Sequence, residues 1–358
     1  MKIGIITFHR AYNIGANLQA YALQKFIEDN ICNAELIDYY PNNEVPQRQS
    51  LVRKLLHLCN VLIHYKEMHA ETKRERKFET FWREYYNLSA TSYYGDKDFI
   101  LADKSYDIYI SGSDQILNTT LSGNSESYYL KSISGKKISY ASSFGRESIS
   151  DVEHRLIKSE LKSFSALSVR EKTAADIIEE DIKIRPELVL DPVFLLTAEE
   201  WRRLAVLPKI DSYIFAYAME DTPQIRAAVE EAKELWELPV VLVAGSRSAR
   251  QLPGSLDLEC GPREFLGYIS NASYVITNSF HGTALSIIFG KEFVAVAHAS
   301  RNIRLKNITN MIGAETLMVN ENCDKPIQEC IIHGDIAYSK LQANIGKSKS
   351  YLLENITA

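Results

Sequence analysis

Apolar positions in this chain come in two alternating textures: short unbroken runs, and longer stretches in which they return every three or four residues. Lys2-Ile3-Gly4-Ile5-Ile6-Thr7-Phe8 is the first run and predicts a buried strand, and Ala16, Ala20, Leu23 and Ile27 then recur at the spacing of a helix over 16–29. Ala34 to Asp38 is the next run, so the chain opens on a βαβ unit. The loop from His9 to Gly15 ends that strand and begins that helix. In a parallel sheet this is where strand ends and helix N-termini converge on ligands.

The alternation continues. Strands are predicted at Tyr106 to Ile110, Lys137 to Ala141 and Leu167 to Val169, with helices over 151–164 and 172–180. Leu207-Pro208-Lys209 reads as the connection to a second unit with the same rhythm: strand Tyr213 to Met219, helix Pro223 to Trp236, strand Val240 to Ala244, helix Pro262 to Ile269, strand Tyr274 to Thr277, helix Thr283 to Phe289 and strand Phe293 to Ala297. The pattern predicts an α/β fold of two Rossmann-like domains facing across a cleft, over 1–205 and 206–358, the last helix returning to the first domain. Residues 46–86 break the rhythm. Leu51, Leu55, Leu58 and Leu62 alternate there with charges, including Lys73-Arg74-Glu75-Arg76-Lys77. Two helices inserted into the first domain are expected, their basic face either solvated or resting on anionic lipid.

Composition narrows the class. With 358 residues, 46% hydrophobic and 24% charged, the chain can bury a core and form two domains. No secretory signal pattern stands at the start, and no stretch approaches the roughly 20 apolar residues of a membrane span. The expectation is a cytoplasmic protein with at most peripheral contact at the inner face of the membrane. Cys32, Cys59, Cys260, Cys323 and Cys330 show no CxxC spacing and no close histidine pairing, which argues against a disulfide framework or a zinc site. A net charge of −5 gives no attraction to nucleic acid, so an anionic substrate must meet a local cluster of cations.

Several turns carry candidate chemistry. Thr277-Asn278-Ser279-Phe280-His281-Gly282-Thr283 reads as strand end, polar turn and helix start, with Gly282 letting the backbone approach a ligand and Thr283 as the cap. His281 then stands at an anion site, able to exchange a proton near neutral pH; its bland alternative is a satisfied turn residue. Asp107 to Gln115 is a strand running into Gly112-Ser113-Asp114-Gln115, which is either a ligand turn or simply a capped one. Ser142 and Ser143 follow another strand, with Arg146 just beyond. Arg170 follows a third and suits a bidentate grip on carboxylate or phosphate, unless it pairs with Glu171. Arg301 and Arg304 are further cations, or surface residues. The chain has no GxxxxGK[ST] loop, no GxGxxG after its first strand, no HExxH and no GxSxG, which removes the commonest nucleotide, zinc and serine-esterase chemistries.

Taken in order, these segments resemble the polysaccharide pyruvyltransferase family. The resemblance rests on Ile5 to His9 followed by Asn13 to Leu23, on Gly112 to Gln115, Ser139 to Gly145, Ser168 to Glu171, Leu190-Asp191-Pro192-Val193 and Thr277 to Thr283. Four positions depart from the family's pattern. Ile14 stands where it often has Tyr, Asn17 where it often has an aliphatic residue and Leu117 where a Trp commonly follows. Ser279 stands where some members carry an arginine, so one donor contact of those members is missing. The resemblance implies a glycosyltransferase-B-like architecture, phosphoenolpyruvate as donor, no metal or cofactor, and a hexose diol of a surface-polysaccharide precursor, lipid-linked or free, as acceptor. It implies His281 as the first choice for acid or base, with Asp114 or His9 second. Arg170, Arg304, Ser279, Gly282, Thr283, Asn13, Gln19, Gly112, Ser113, Gln115, Ser142 and Ser143 are the implied substrate contacts. Two other readings remain: a nucleotide-sugar-dependent glycosyltransferase of the same architecture, with Glu259 or Glu264 holding the ribose, and a sugar- or anion-binding partner without turnover.

Overall fold

A computed structural model describes residues 1–44, 65–298 and 302–358. The apolar runs become two open sheets. In the first, β1 (Ile3–Ile6), β2 (Ala34–Tyr40), β3 (Leu88–Tyr94), β4 (Ile108–Ser111) and β5 (Lys136–Ser139) lie in the order β3-β2-β1-β4-β5, all parallel. A parallel pair, β6 (Ser168–Val169) and β7 (Glu187–Leu188), continues beyond β5 through a bridge between Ile138 and Ala166. In the second sheet β8 (Ile214–Ala218), β9 (Val240–Ala244), β10 (Ser255–Leu256), β11 (Tyr274–Thr277), β12 (Glu292–Ala295) and β13 (Ile332–His333) run β10-β9-β8-β11-β12-β13, with only β13 antiparallel.

Strands β1, β4 and β8 are buried at every position, the pattern of strands covered on both faces by helices. The helices are α1 (Ile14–Asn30), α2 (Tyr65–Tyr85), α3 (Gly95–Phe99), α4 (Asp151–Glu160), α5 (Lys172–Ile182), α6 (Ala198–Leu204), α7 (Pro223–Trp236), α8 (Pro262–Asn271), α9 (Phe280–Ile288), α10 (Ile303–Met311) and α11 (Gly334–Thr357). Leu18, Leu23, Phe26 and Ile27 of α1 join one core with Phe265 and Leu266 of α8, so the two layers share buried surface, each such side chain contributing about 1.5–3 kcal/mol. Winding reverses beside the first strand of each sheet, between β1 and β4 and between β8 and β11. Such switch points open crevices at the carboxyl ends of the strands.

Several elements differ from the sequence expectation. Leu88–Tyr94 pairs as an edge strand although its outer face is polar and exposed. Helices α6 and α10 were not among the predicted elements, although Thr197 and Glu200 form a capping box at the start of α6. The last helix packs against the edge of the first sheet: Ser348 Oγ accepts from Leu190 N at 2.9 Å, and Tyr351 Oη donates to Ser139 O at 3.0 Å. Of the two helices expected over 46–86, the first lies outside the described residues with Leu51, Arg53, Lys54, Leu55, Leu58, Cys59 and Leu62, as does Arg301. The second is α2, and Lys73 and Lys77 of its basic run reach the second domain. Lys73 pairs with Glu259 at 2.9 Å, Lys77 with Glu264 at 3.1 Å, and Glu71 with Arg250 at 2.8 Å. Among the described residues no helix is long and apolar enough to cross a membrane.

Asn17, which departs from the family pattern, has a structural reason. Its amide donates to Ala11 O at 2.6 Å and Asn13 O at 2.7 Å, while its oxygen accepts from Trp82 Nε1 and from Tyr86 Oη at 3.0 Å. It thereby ties the loop after β1 to α2. Asn17→Leu strands the Trp82 indole N–H and the Ala11 carbonyl, while Tyr86 Oη keeps the Asn17 carbonyl as acceptor at 3.0 Å. At about 1–3 kcal/mol per unsatisfied buried group, a stability loss of about 2–3 kcal/mol is expected in urea denaturation.

Candidate active site

Both switch points contribute side chains to one cleft of about 600 Å³ of empty space, with Asn13, Asp114 and Gln115 from the first domain facing Tyr217, Ser279, His281, His298 and Arg304 from the second. The central residue is His281. The α9 helix starts at Phe280, three residues before the predicted start, because Ser279 is its cap and accepts from Gly282 N at 3.5 Å. Thr283 is therefore not the cap but lies buried in the first turn, its Oγ1 without a partner. The first N–H groups of the helix, those of Phe280 and His281, have no intrahelical acceptor and favour an anion. At Gly282 a Cβ would stand 2.4 Å from Thr277 Oγ1, so glycine there lets the helix close on its strand.

His281 is only 7% exposed, and its imidazole is held from both domains. A Cβ on Gly15, in the first turn of α1, would fall 2.0 Å from its Nδ1, so the ring rests on the bare backbone of that helix. On its other side Nε2 is 3.7 Å from Asp191 Oδ2, close enough for an ion pair and too long for a hydrogen bond, which leaves Nε2 buried without a hydrogen-bond partner.

Behind the histidine runs a chain of alternating charge. Asp191 accepts from Val193 N at 3.0 Å through one oxygen and from Arg170 Nη1 through the other. Arg170 Nη2 then reaches Asp114 Oδ1 at 3.4 Å, and Arg304 Nη1 reaches the same oxygen at 3.4 Å. Asp114 sits at φ +70°, a left-handed conformation that aspartate tolerates better than most residues, and this turn aims its carboxylate between the arginines. Phe280 lies against both, with the Arg170 guanidinium 4.9 Å and that of Arg304 5.8 Å from its ring centroid.

Burial opposes ionisation of both aspartates, but nearby cations win. Arg170 and then His281 hold the Asp191 carboxyl well below the usual carboxylate range, and Arg170, Arg304 and His281 lower that of Asp114. For Arg170 burial is likewise outweighed, by Asp191 and Asp114, and its pKa rises. Arg304 differs: burial and then Arg170 pull its pKa down, and Asp114 only partly compensates. Of the two arginines it is the one lining the cleft, a cation whose charge an incoming anion would stabilise. Because their folded pKa values are depressed, the aspartates contribute stability that is complete above the unfolded value near ~4 and is lost as pH falls through the depressed ones. Asp191→Asn is therefore expected to flatten the acid limb of melting temperature against pH.

Other sequence candidates form the wall behind the cleft. Gln19 Nε2 donates to Thr7 Oγ1 at 2.9 Å, Ser113 Oγ to Ala141 O at 3.1 Å, Ser142 Oγ to Gly112 O at 3.1 Å and Ser143 Oγ to Glu171 Oε1 at 2.5 Å. These bonds tie strand ends together, and Gly112 packs close to Thr7, where a Cβ would stand 3.0 Å away. Glu171 is thus engaged by Ser143, and Arg170 pairs with aspartates instead of with Glu171. Arg146 pairs with Glu153. His9 is buried, with Nδ1 3.0 Å from Thr7 O and Nε2 3.3 Å from Asp38, and it does not line the cleft.

Sequence reasoning missed Asp191, Phe280, the Gly15 contact and His298. Asp191 appeared only within a motif. His298, whose Nδ1 is 3.0 Å from Glu220 Oε1, follows β12 just as His281 follows β11, and applying the strand-end argument to that strand would have found it. Among the described residues no cluster of three or more histidine, cysteine, aspartate or glutamate side chains is gathered to hold a metal ion.

The sequence model of the polysaccharide pyruvyl transferase family matches residues 13–300. No curated protein matches the chain significantly. Solved structures share its architecture at low identity. UDP-GlcNAc 2-epimerase of Methanocaldococcus jannaschii, in complex with UDP-GlcNAc and UDP, is 13% identical with a TM-score of 0.50, covering 100% of this chain and 99% of its own. Anabaena HepE, in complex with UDP and glucose, is 10% identical with a TM-score of 0.53 and the same coverage. Likeness at this level establishes the two-domain glycosyltransferase-B-like fold and nothing about the ligand.

Proposed function

The chain belongs to the polysaccharide pyruvyl transferase family, and from that premise we propose that it moves the pyruvyl group of phosphoenolpyruvate onto two hydroxyls of one hexose in a surface-polysaccharide precursor, forming a ketal and releasing phosphate. The observation that supports this best is the convergence, in one cleft, of Arg304, the N-terminus of α9 and a histidine backed by an ionised aspartate. The donor carries a carboxylate and a phosphate, and these are the groups such a site holds. Arg170 acts from behind, fixing Asp191 and Asp114, and is a positioning residue.

In the reaction we infer, a proton adds to the methylene carbon of the enol while a sugar hydroxyl oxygen bonds to the neighbouring carbon and loses its own proton. The second hydroxyl then displaces phosphate from that carbon and closes the ketal, its proton leaving with the phosphate. His281 is the group that carries protons, and Asp191 stabilises positive charge as it develops on the ring. Asp114 is held ionised between arginines and is a weak proton acceptor. His298, oriented by Glu220, is better placed to take the proton of a hydroxyl. His9 is withdrawn from this role by its contacts with Thr7 and Asp38.

The nucleotide-sugar reading is weakened because Glu259 and Glu264, the carboxylates considered for a ribose, are paired with Lys73 and Lys77. Glu264 also accepts from Gly261 N at the start of α8. We place the reaction in the cytoplasm, at the inner face of the membrane where the acceptor is lipid-linked. Isothermal titration of the purified protein tests the donor: phosphoenolpyruvate binds and UDP does not, whereas binding of UDP alone would transfer support to the glycosyltransferase.

A further inference from the structure

Beside the catalytic cleft lies a second hollow of about 1030 Å³ of empty space, bounded by Arg10, Tyr12, Tyr40, Glu44, Glu79 and Trp82. The loop after β1 is the wall between them: Arg10 and Tyr12 line the outer hollow, and Asn13 lines the inner cleft. That wall is fixed in place. Asn17 holds the carbonyls of Ala11 and Asn13, and Arg74 Nη2 donates to Tyr12 O at 3.1 Å.

We propose that the outer hollow seats the hexose acceptor, with one face of the sugar ring against Tyr12 and its hydroxyls on Glu79 and Glu44. This rests on the proposed transfer to a hexose and assigns the acceptor half of that site. The argument is one of elimination within the hollow. Arg10 lies over the rings of Tyr40 and Trp82, 5.4 Å from each centroid, and its charge is met by Asp38 at 2.7 Å, so those faces and that cation are already in use. What remains open is the ring of Tyr12, 42% exposed and braced from behind by Trp82 at 5.2 Å and Phe78 at 5.8 Å, with Glu79 Oε1 accepting from its hydroxyl at 3.2 Å.

An aromatic face takes the C–H side of a pyranose, and carboxylate oxygens accept hydrogen bonds from its hydroxyls. Asp38 meets the charge of Arg10, and Arg83, which also borders the hollow, lies 3.6 Å from Glu84, so Glu44 and Glu79 leave the hollow less favourable to a phosphate or carboxylate than the cleft that Arg304 lines. Only the loop from Arg10 to Asn13 separates a sugar seated there from the inner cleft. Anion and polyol are thus sorted into adjoining compartments by charge.

Saturation-transfer difference NMR with a panel of 4-nitrophenyl hexosides of gluco, galacto and manno configuration tests this. At least one hexoside receives saturation from the wild-type protein and from Tyr12→Phe, and loses most of it in Tyr12→Ala and Glu79→Gln. In turnover, Tyr12→Ala raises the acceptor KM by about tenfold or more, the loss of one ring contact, while phosphoenolpyruvate affinity by titration stays unchanged. Glu79 is exposed on α2, so Glu79→Gln carries the test if Tyr12→Ala folds poorly. Equal saturation in wild type and both variants, or none from any hexoside, overturns the proposal while phosphoenolpyruvate still binds. Loss of phosphoenolpyruvate binding in the wild type itself would instead strike at the proposed function.

Discussion

His281→Gln is expected to lower kcat for pyruvyl transfer by about a hundredfold to ten-thousandfold, the range lost with a proton-transferring side chain, while the affinity for phosphoenolpyruvate changes much less. Glutamine keeps a polar group of similar reach beside Asp191 but cannot exchange a proton. The fold should survive, because Nε2 makes no hydrogen bond whose loss would strand a partner. Single-turnover kinetics with titration of the donor separate the two effects. Gly15→Ala is expected to act in the same direction without touching the chemistry, since its Cβ and Nδ1 of His281 cannot both occupy their positions. Full turnover in His281→Gln would remove the histidine from the reaction.

The second large effect is on stability. Arg170→Ala leaves Asp191 buried beside an emptied site and Asp114 with Arg304 alone. Removing one partner of a buried ion pair costs about 3–5 kcal/mol, a large share of the 5–15 kcal/mol that holds a typical domain together. Urea denaturation should show the midpoint falling sharply, and activity should fall with it because Asp191 and Asp114 lose their fixed positions. Arg170→Lys is not expected to rescue: the guanidinium reaches the two aspartates through different nitrogens, which a single ammonium cannot reproduce. A loss below about 1 kcal/mol, the value of an exposed pair, would mean that the charge chain is solvated and not structural.

Much of this architecture is readable in the sequence because parallel strands buried on both faces must be nearly continuous apolar runs, as Ile3–Ile6, Ile108–Ser111 and Ile214–Ala218 are. Leu88–Tyr94 escaped that logic as an edge strand, with a polar exposed face and nothing in its sequence to distinguish it from a loop. The start of α9 was misplaced because two hydroxyl residues, Ser279 and Thr283, could each cap it, and only packing of Gly282 against Thr277 decides between them. Within the site, side chains on strand-end turns were legible one by one. Their partnerships were not: Asp191 meets Arg170 across 21 positions, and Gly15 meets His281 from the other domain, contacts that leave no periodic trace. The serines after β4 and β5 illustrate a different ambiguity. Turn residues suited to a ligand are equally suited to binding strand ends to one another, and here Ser113, Ser142 and Ser143 do the latter.

The most direct test of the central claim mixes purified protein with phosphoenolpyruvate and a panel of lipid-linked and aryl hexosides, with nucleotide sugars in parallel, and follows phosphate release and product mass. The account predicts a hexoside heavier by one pyruvylidene group with one phosphate released per product. Hexose addition from a nucleotide sugar, with no product from phosphoenolpyruvate, would contradict it.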